Sequence, residues 1–331
     1  MVSIKDIAKK CNVSVATVSK ALNNQKDIGS ATKARIIKVA EDMGYMANVS
    51  ARALKTNRTY SIGVLFKDSE PGLSNEYFTN VLDGFKSEAE DHGYNISFIN
   101  DLIAGKKASY RKHCEYRKYD GVAIICADFE SKDIIDLTKS SIPVVSLDYQ
   151  FENCSSIMSN NYDGMVELVE YAIKMGHRRI AYIHGKSDKK VTNARLSSFY
   201  GALRKNNIDI PNEYVLESRY HNIKLTNDKL NQLLKLKNYP TCIFFPDDYT
   251  AIGCIQTILS SKKKVSFAGY DGIEMARTLG LTTYQQDKES LGRMAAKKLI
   301  EQIEDQNVIK ENIIVTGNLL KGKSIKRNRI Q

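Results

Sequence analysis

From Ser61 onward, short apolar runs alternate with longer helical stretches, and no other property narrows the possible folds of this chain as far. Strand-like runs at 61–66, 95–99, 121–126 and 143–147 are separated by helix-like stretches at 75–92, 106–118 and 131–141. The alternation resumes with helix 162–176, strand 180–184, helix 193–206, strand 241–245, helix 248–261 and strand 265–270. Strand–helix units of this kind build parallel sheets with helices on both faces. The 271 residues that follow position 60 exceed one ordinary sheet domain, so two similar α/β lobes are expected.

Charge separates the first sixty residues from the rest. They carry eleven Lys and Arg against four Asp and Glu, whereas the remainder carries 38 against 34. A positive surplus concentrated in one small module is the electrostatic footprint of nucleic-acid binding. No apolar run is long enough to span a membrane, and the N-terminus lacks the pattern of a secretory leader. A cytoplasmic protein is expected. Six scattered cysteines without a CxxC pair, and five histidines without ligand spacing, argue against a disulfide framework or a metal site.

The basic module reads as a helix-turn-helix. Ser3 and Asp6 form a capping-box-like start, and Ile7, Ala8 and Cys11 share a helical face. Asn12-Val13 turns the chain and Ser14 can cap a second helix over 15–22. Val18, Ala21 and Leu22 point inward there, leaving Val15, Ala16, Ser19 and Lys20 outward. A third helix near 31–43 contributes Ile36, Ile37, Val39 and Ala40. Ser14, Thr17, Ser19 and Asn23 suit phosphate oxygens, Val15 and Ala16 suit thymine methyls, and Lys20 suits guanine as a point charge. The segment 48–55, with Arg52 and Leu54, is too short to be a stable helix alone and is expected to fold on a partner, DNA.

Several segments resemble one family closely. Ile4-Lys-Asp-Ile-Ala8, Val13-Ser-Val-Ala-Thr-Val-Ser-Lys-Ala-Leu-Asn23, Gly44-Tyr45 and Asn48-Val-Ser-Ala-Arg-Ala-Leu54 are similar to the lactose-repressor (LacI/GalR) family of bacterial transcription regulators. Lys20 stands where that family usually has Arg, and Ala47 where it commonly has Pro. The resemblance implies that 48–55 is a hinge helix formed when two copies meet in the minor groove, with Leu54 as the wedge at a central base step. Tyr45, Asn48 and Arg52 join the expected DNA-contacting set.

The likeness continues through Asn160-Asn-Tyr-Asp-Gly164, Gly176-His-Arg-Arg-Ile-Ala-Tyr-Ile183, Asp248-Tyr-Thr-Ala-Ile-Gly253, Ala268-Gly-Tyr-Asp271 and Leu281-Thr-Thr-Tyr-Gln-Gln-Asp-Lys288. It implies a periplasmic-binding-protein type I clamshell of doubly wound parallel sheets. The expected divisions are a helix-turn-helix domain at 1–46, a hinge and linker at 47–60, and an effector-binding and dimerisation domain at 61–331. Lobe 1 is expected over about 61–158 plus 286–313, and lobe 2 over about 159–284 plus 314–331.

Ligands of open α/β sheets sit beyond the carboxyl ends of strands. That rule selects Tyr77, Phe78, Asp148, Asp247, Asp248 and Asp271, with Arg195 at the start of the helix after strand 180–184. The family's effector positions match Tyr77, Phe78, Asp148, Arg195, Asp247 and Asp271, with Tyr220 a weaker candidate; Asp248 suits a helix cap equally well. Asp247 stands where the family commonly has Asn, and Ser198 replaces a usual Gly. Carboxylates and a guanidinium between aromatic walls suit a sugar.

Gly317-Asn-Leu-Leu-Lys-Gly-Lys-Ser324 satisfies the P-loop expression, but a phosphate cradle needs a following helix and only seven residues remain. No enzyme and no cofactor is expected. The reading is a cytoplasmic homodimer that represses carbohydrate-use genes by binding a near-palindromic double-stranded operator under the control of a small molecule, a sugar. Its rivals are a sugar-binding receptor module and a DNA-binding protein without effector. The final residues show no apolar heptads, so a coiled-coil tetramer is not expected.

Overall fold

A computed structural model describes residues 2–22, 27–45, 58–67, 72–305 and 307–328. Asn23, Ala47, Asn48, Arg52 and Leu54, and with them the expected hinge helix, lie outside the described residues. The chain divides into two units, Met1–Thr59 and Tyr60–Gln331.

Among its described residues the first unit has three helices: α1 (Ile4–Cys11), α2 (Val15–Leu22) and α3 (Ser30–Asp42). Local chemistry sets their ends. The Asp6 carboxylate accepts from the Ser3 backbone N–H at 2.9 Å and its hydroxyl at 2.7 Å, which holds its pKa below the ordinary carboxylate value. Asn12 leaves α1 in the left-handed conformation (φ 49°), which Asn tolerates better than most residues. Ser14 Oγ then accepts from Thr17 N–H at 3.0 Å and caps α2. Ile7, Ala8, Cys11, Val18, Ala21, Ile36 and Ala40 form the core. Leu22 and Val39 are half-buried against it, and so is Tyr45.

The described residues of the second unit form two six-stranded sheets and one small hairpin. The first sheet is made of β1 (Ser61–Phe66), β2 (Asn95–Phe98), β5 (Gly121–Cys126), β6 (Val144–Leu147), β7 (Ser155–Ser159) and β13 (Asn312–Val315). Its spatial order is β13-β7-β6-β5-β1-β2, and every neighbouring pair in it is parallel. The second sheet is made of β8 (Ile180–His184), β9 (Val215–Glu217), β10 (Cys242–Phe244), β11 (Ser266–Asp271), β12 (Thr282–Gln285) and β14 (Asn318–Leu320). Its order is β14-β12-β11-β10-β8-β9, and only the β12–β14 pair is antiparallel. Central strands such as β8 are buried along their whole length, as strands covered on both faces must be.

Helices α4 (Glu76–Asp91), α5 (Tyr110–Arg117), α6 (Lys132–Thr138) and α13 (Lys288–Glu304) accompany the first sheet. The second has α7 (Asn161–Lys174), α8 (Lys190–Lys205), α9 (Ile223–Lys235), α10 (Asp248–Gly253), α11 (Ile255–Ser260) and α12 (Glu274–Leu279). The chain crosses between sheets at β7 to α7, at β12 to α13, and from β13 to β14. The core of the first sheet is built around Ile62, Val64, Val81, Phe85 and Leu299; that of the second around Tyr182, Phe199, Phe244 and Ile243.

Three sequence expectations shift. The helix expected at 193–206 begins at Lys190, which places Arg195 in its second turn rather than at its start. The helix expected at 106–118 begins at Tyr110, because Leu102–Ile103 (β3) and Lys106–Lys107 (β4) form a hairpin across Ala104 and Gly105, both with positive φ. The helix expected at 248–261 is interrupted at Cys254, giving α10 and α11. The P-loop expression does not form a strand–loop–helix cradle. Residues 318–320 are β14, Ser324 Oγ donates to Phe267 O at 2.7 Å, and no helix follows in the described residues.

Candidate functional site

A cavity of about 550 Å³ lies between the two sheets, within the range of small-molecule sites. Tyr77, Phe78, Asp148, Arg195, Tyr220 and Asp271 all line it. The elements that carry them explain how. Asn75 caps α4 by accepting from Tyr77 N–H at 2.9 Å, which fixes the first turn and turns Tyr77 inward. Asp148 follows the end of β6 with φ 53°, and Asp271 ends β11 with φ 113°. Positive φ at two non-glycine residues is unfavourable and clusters at functional sites.

Tyr77 donates its hydroxyl to Asp148 Oδ2 at 2.6 Å, and the Ser159 backbone N–H donates to Oδ1 at 3.0 Å. Burial nonetheless raises the Asp148 pKa, against the effect of both bonds, and it raises Tyr77 well above the ordinary tyrosine value. Across the cavity, Arg195 is 3% exposed. Its Nε donates to Asn161 Oδ1 at 2.8 Å and its Nη1 to Pro246 O at 3.3 Å, while Nη2 lies 4.0 Å from Asp271 Oδ1. The guanidinium carbon sits 3.6 Å from the Tyr270 ring centre, a cation–π contact strengthened by burial. Burial opposes the charge, but the surrounding Tyr220, Tyr270 and Asp271 outweigh it and the group stays protonated. Burial lifts Asp271 to about 7, although Arg195 and the Gln286 amide, which donates to Oδ1 at 2.7 Å, pull the other way.

Neither of the two adjacent aspartates lines the cavity. Asp247, not Asp248, caps α10: Oδ1 accepts from Thr250 N–H at 2.7 Å, and Oδ2 accepts from His221 N–H at 2.8 Å. With both oxygens engaged, Asp247 does not line the cavity and instead positions His221, which does. Asp248 lies behind the sheet end, accepting from Ile273 N–H at 3.0 Å, and burial raises its pKa strongly. Tyr220 is held by its hydroxyl, 3.0 Å from Thr192 Oγ1, and its ring lies where any side chain at Gly185 would collide with it.

Several cavity residues escaped the strand-end rule. Gln286 follows β12, a strand that the apolar alternation does not disclose, and its buried Oε1 finds no protein partner. His221 Nδ1 is likewise unpartnered. Phe129, Tyr149 and Lys190 line the same cavity. Lys288, the first residue of α13, donates to the carbonyls of Asp271 at 3.1 Å and Gly272 at 2.8 Å, behind the cavity wall. Three further contacts join the sheets around this space. Asn75 Nδ2 lies 2.9 Å from His221 Nε2, Glu76 accepts from Glu274 N–H at 2.9 Å, and Lys190 Nζ stands 3.9 Å above the Tyr149 ring.

In the N-terminal unit, Ser14, Val15, Ala16 and Lys20 are exposed, whereas Thr17 and Ser19 are half-buried. The Ser14 and Thr17 hydroxyls are 2.8 Å apart. Lys20 is paired with Asp27 across the surface, which lowers the Asp27 pKa. A guanine contact by Lys20 therefore requires it to leave Asp27. No cluster of three or more metal-ligating side chains occurs among the described residues, and no helix among them is long and apolar enough to cross a membrane.

Comparison with known proteins agrees with both units. Residues 3–48 match the family of bacterial regulatory proteins of lacI type, and residues 169–325 match a periplasmic binding protein-like domain. The "Probable HTH-type transcriptional repressor ExuR" of Bacillus subtilis is 31% identical, over 99% of each chain. The "HTH-type transcriptional repressor PurR" of Photobacterium profundum is 29% identical, over 98% of this chain and 99% of that one. The fold is similar to that of the Lac repressor dimer bound to operator and the anti-inducer ONPF, with a TM-score of 0.78, 22% identity, and coverage of 98% of this chain and 99% of that one. It is also similar to a complex of the transcriptional regulator CelR with cellobiose, with a TM-score of 0.70, 18% identity, and coverage of 98% and 100%.

Proposed function

The chain belongs to the LacI family of bacterial regulatory proteins, which makes it a DNA-binding transcriptional repressor, and we propose that a sugar in its interlobe cavity sets its affinity for a near-palindromic operator. The observation that carries this reading is the opposed polar set of the cavity: Asp148 and Tyr77 on one sheet, Arg195, Asp271 and Gln286 facing them. Such a set offers acceptors and donors at once, which is what a ring of hydroxyls needs, and the flanking aromatic faces suit its C–H surfaces. Asp247 stands behind this set as a positioning residue for His221.

In this reading the head docks α2 in the major groove, with Val15, Ala16 and Lys20 toward base edges and Ser14, Thr17 and Ser19 toward phosphates. Tyr45 packs the head core from its edge. Asn23, Asn48, Arg52 and Leu54 complete the DNA-contacting set, Leu54 as a minor-groove wedge. Two copies bind the two half-sites, so the working form is a homodimer in the cytoplasm and its targets are genes of carbohydrate use. Effector control follows from linkage. A sugar changes operator affinity only as far as it prefers one lobe arrangement over another, and the contacts Asn75–His221 and Glu76–Glu274 N–H belong to one such arrangement.

The test is operator selection from random DNA, followed by affinity measurements with and without a panel of sugars. A recovered near-palindrome is expected, with binding that falls steeply as salt rises, because phosphate neutralisation releases counterions. At least one sugar is expected to change operator affinity by about fivefold or more, in the range of ordinary allosteric coupling. Failure to enrich any sequence would overturn the operator reading, and indifference to every sugar would overturn the effector reading.

A further inference from the structure

The cavity has two chemically different ends, and the polar set that carries the sugar reading lies at the inner one. The inner end holds Tyr77, Asp148, Arg195, Asp271 and Gln286. At the outer end Phe129, Tyr149 and Lys190 stand among the exposed Asp128, Glu130, Asp188 and Lys189. Phe129 and Tyr149 are stacked, with ring centres 4.7 Å apart and planes within 10°, and Phe151 supports Tyr149 from a further 4.7 Å. Phe129 and Phe151 are anchored on the hydrophobic core beneath the first sheet, but Tyr149 is not part of that core. Tyr149 is therefore the outermost layer of an aromatic stack. Its remaining face is covered by the ammonium of Lys190, an exposed residue of the other lobe, at 3.9 Å.

We propose that this stack is a second subsite, and that the preferred ligand is a sugar carrying a glycosidically linked second ring, which lies on the Tyr149 face in place of the Lys190 ammonium. The inference rests on the reading of the cavity as a sugar site. Three observations converge on it. The ledge and the polar end share one continuous cavity of about 550 Å³. The ledge is rigid, because Tyr149 is backed by two rings. Its cover is exchangeable, since a lysine so exposed gives up only a modest cation–π contact and regains water, whereas a flat ring face gains apolar burial against Tyr149. Asp128, Glu130 and Lys189 then offer partners at the rim for the second ring's hydroxyls.

The experiment is calorimetric titration of the full chain with matched pairs, glucose and cellobiose, galactose and lactose, and glucose and maltose, repeated on Tyr149→Ala, Tyr149→Phe and Lys190→Ala. The expected result is a disaccharide that binds at least tenfold more tightly than its parent monosaccharide. Tyr149→Ala is expected to abolish that ratio, Tyr149→Phe to retain it, and Lys190→Ala to retain or increase it. A monosaccharide that binds as tightly as its disaccharide, or a ratio indifferent to Tyr149→Ala, overturns the second subsite and leaves the sugar site standing. Absence of heat with every sugar and every variant overturns the sugar reading itself, and the second subsite with it. Should the Ala variant fold poorly, Tyr149→Leu, which keeps apolar volume but removes the flat ring face, is expected to lower the ratio in the same way, and an unchanged ratio there overturns the second subsite.

Discussion

Asp271 is the residue at which burial most visibly changes chemistry. Its carboxyl is lifted to about 7 from an ordinary value of 3.8, chiefly by desolvation. Between those two values the folded chain holds a proton that the unfolded chain has released, so the stability associated with this group is full below about pH 4 and is lost as pH rises through about 7. Asp271→Asn imitates the protonated form. In the ligand-free protein it is expected to raise the thermal midpoint little at about pH 4 and clearly at about pH 8, with a free-energy difference on the order of 4 kcal/mol at most. A midpoint difference that does not change with pH would show the carboxyl to be ionised throughout. The same residue type serves differently at Asp247, where two N–H donors engage both oxygens, and at Asp27, which holds Lys20 on the exposed face of the head.

At the scale of elements, the packing of α4 on α13 joins the crossover segment to the first sheet. Two glycines allow it. A Cβ on Gly292 would stand 2.0 Å from Val81 O and 2.6 Å from Phe85 N, and one on Gly84 would stand 2.4 Å from Glu289 O. These neighbours are backbone atoms, so they cannot move aside as a flexible side chain would. Gly292→Ala is expected to push the helices apart and to destabilise the protein by about 1–3 kcal/mol, as overpacking of a tight contact does. Chemical denaturation monitored by circular dichroism measures this directly, and an unchanged midpoint would mean that the helices do not approach so closely. Because α13 begins with Lys288, which holds the carbonyls behind Asp271, loosening this pair also disturbs one wall of the cavity.

For the large unit as a whole, the two lobes meet through few polar contacts, and Glu76 makes one of them while pairing with Lys288 within its own lobe. Its carboxylate accepts from Glu274 N–H at the start of α12 and stands 3.9 Å from Lys288 Nζ, a largely buried ammonium. A negative charge at a helix start is favoured by the unsatisfied N–H groups there. Glu76→Ala removes that contact and leaves Lys288 without its carboxylate. The expected outcome is a larger radius of gyration for the ligand-free protein by small-angle scattering, together with a several-fold weaker response to sugar. Identical scattering profiles for the variant and the parent chain would show that Glu76 does not hold the lobes together.

Features determined within a few residues were legible in the sequence alone. Ser14 caps α2 three residues ahead of the N–H it accepts, Asp6 reaches back three residues to Ser3, and the apolar alternation marks β1, β5 and β8 without error in their ends. The strand-end rule also singles out Tyr77, Asp148, Arg195 and Asp271, because topology alone sends those positions toward the crevice. What only the tertiary structure decided is the division of labour among them. Asp247 caps α10 locally, but its second oxygen is engaged by His221 N–H, 26 residues away, and the bond from Tyr77 to Asp148 spans 71 residues. Gln286, Lys288 and the Tyr149–Lys190 contact belong to the same class, since they arise where separate lobes converge. Periodicity and capping act over one turn of chain, while a cavity is made by sheet register and lobe packing, which no local pattern encodes.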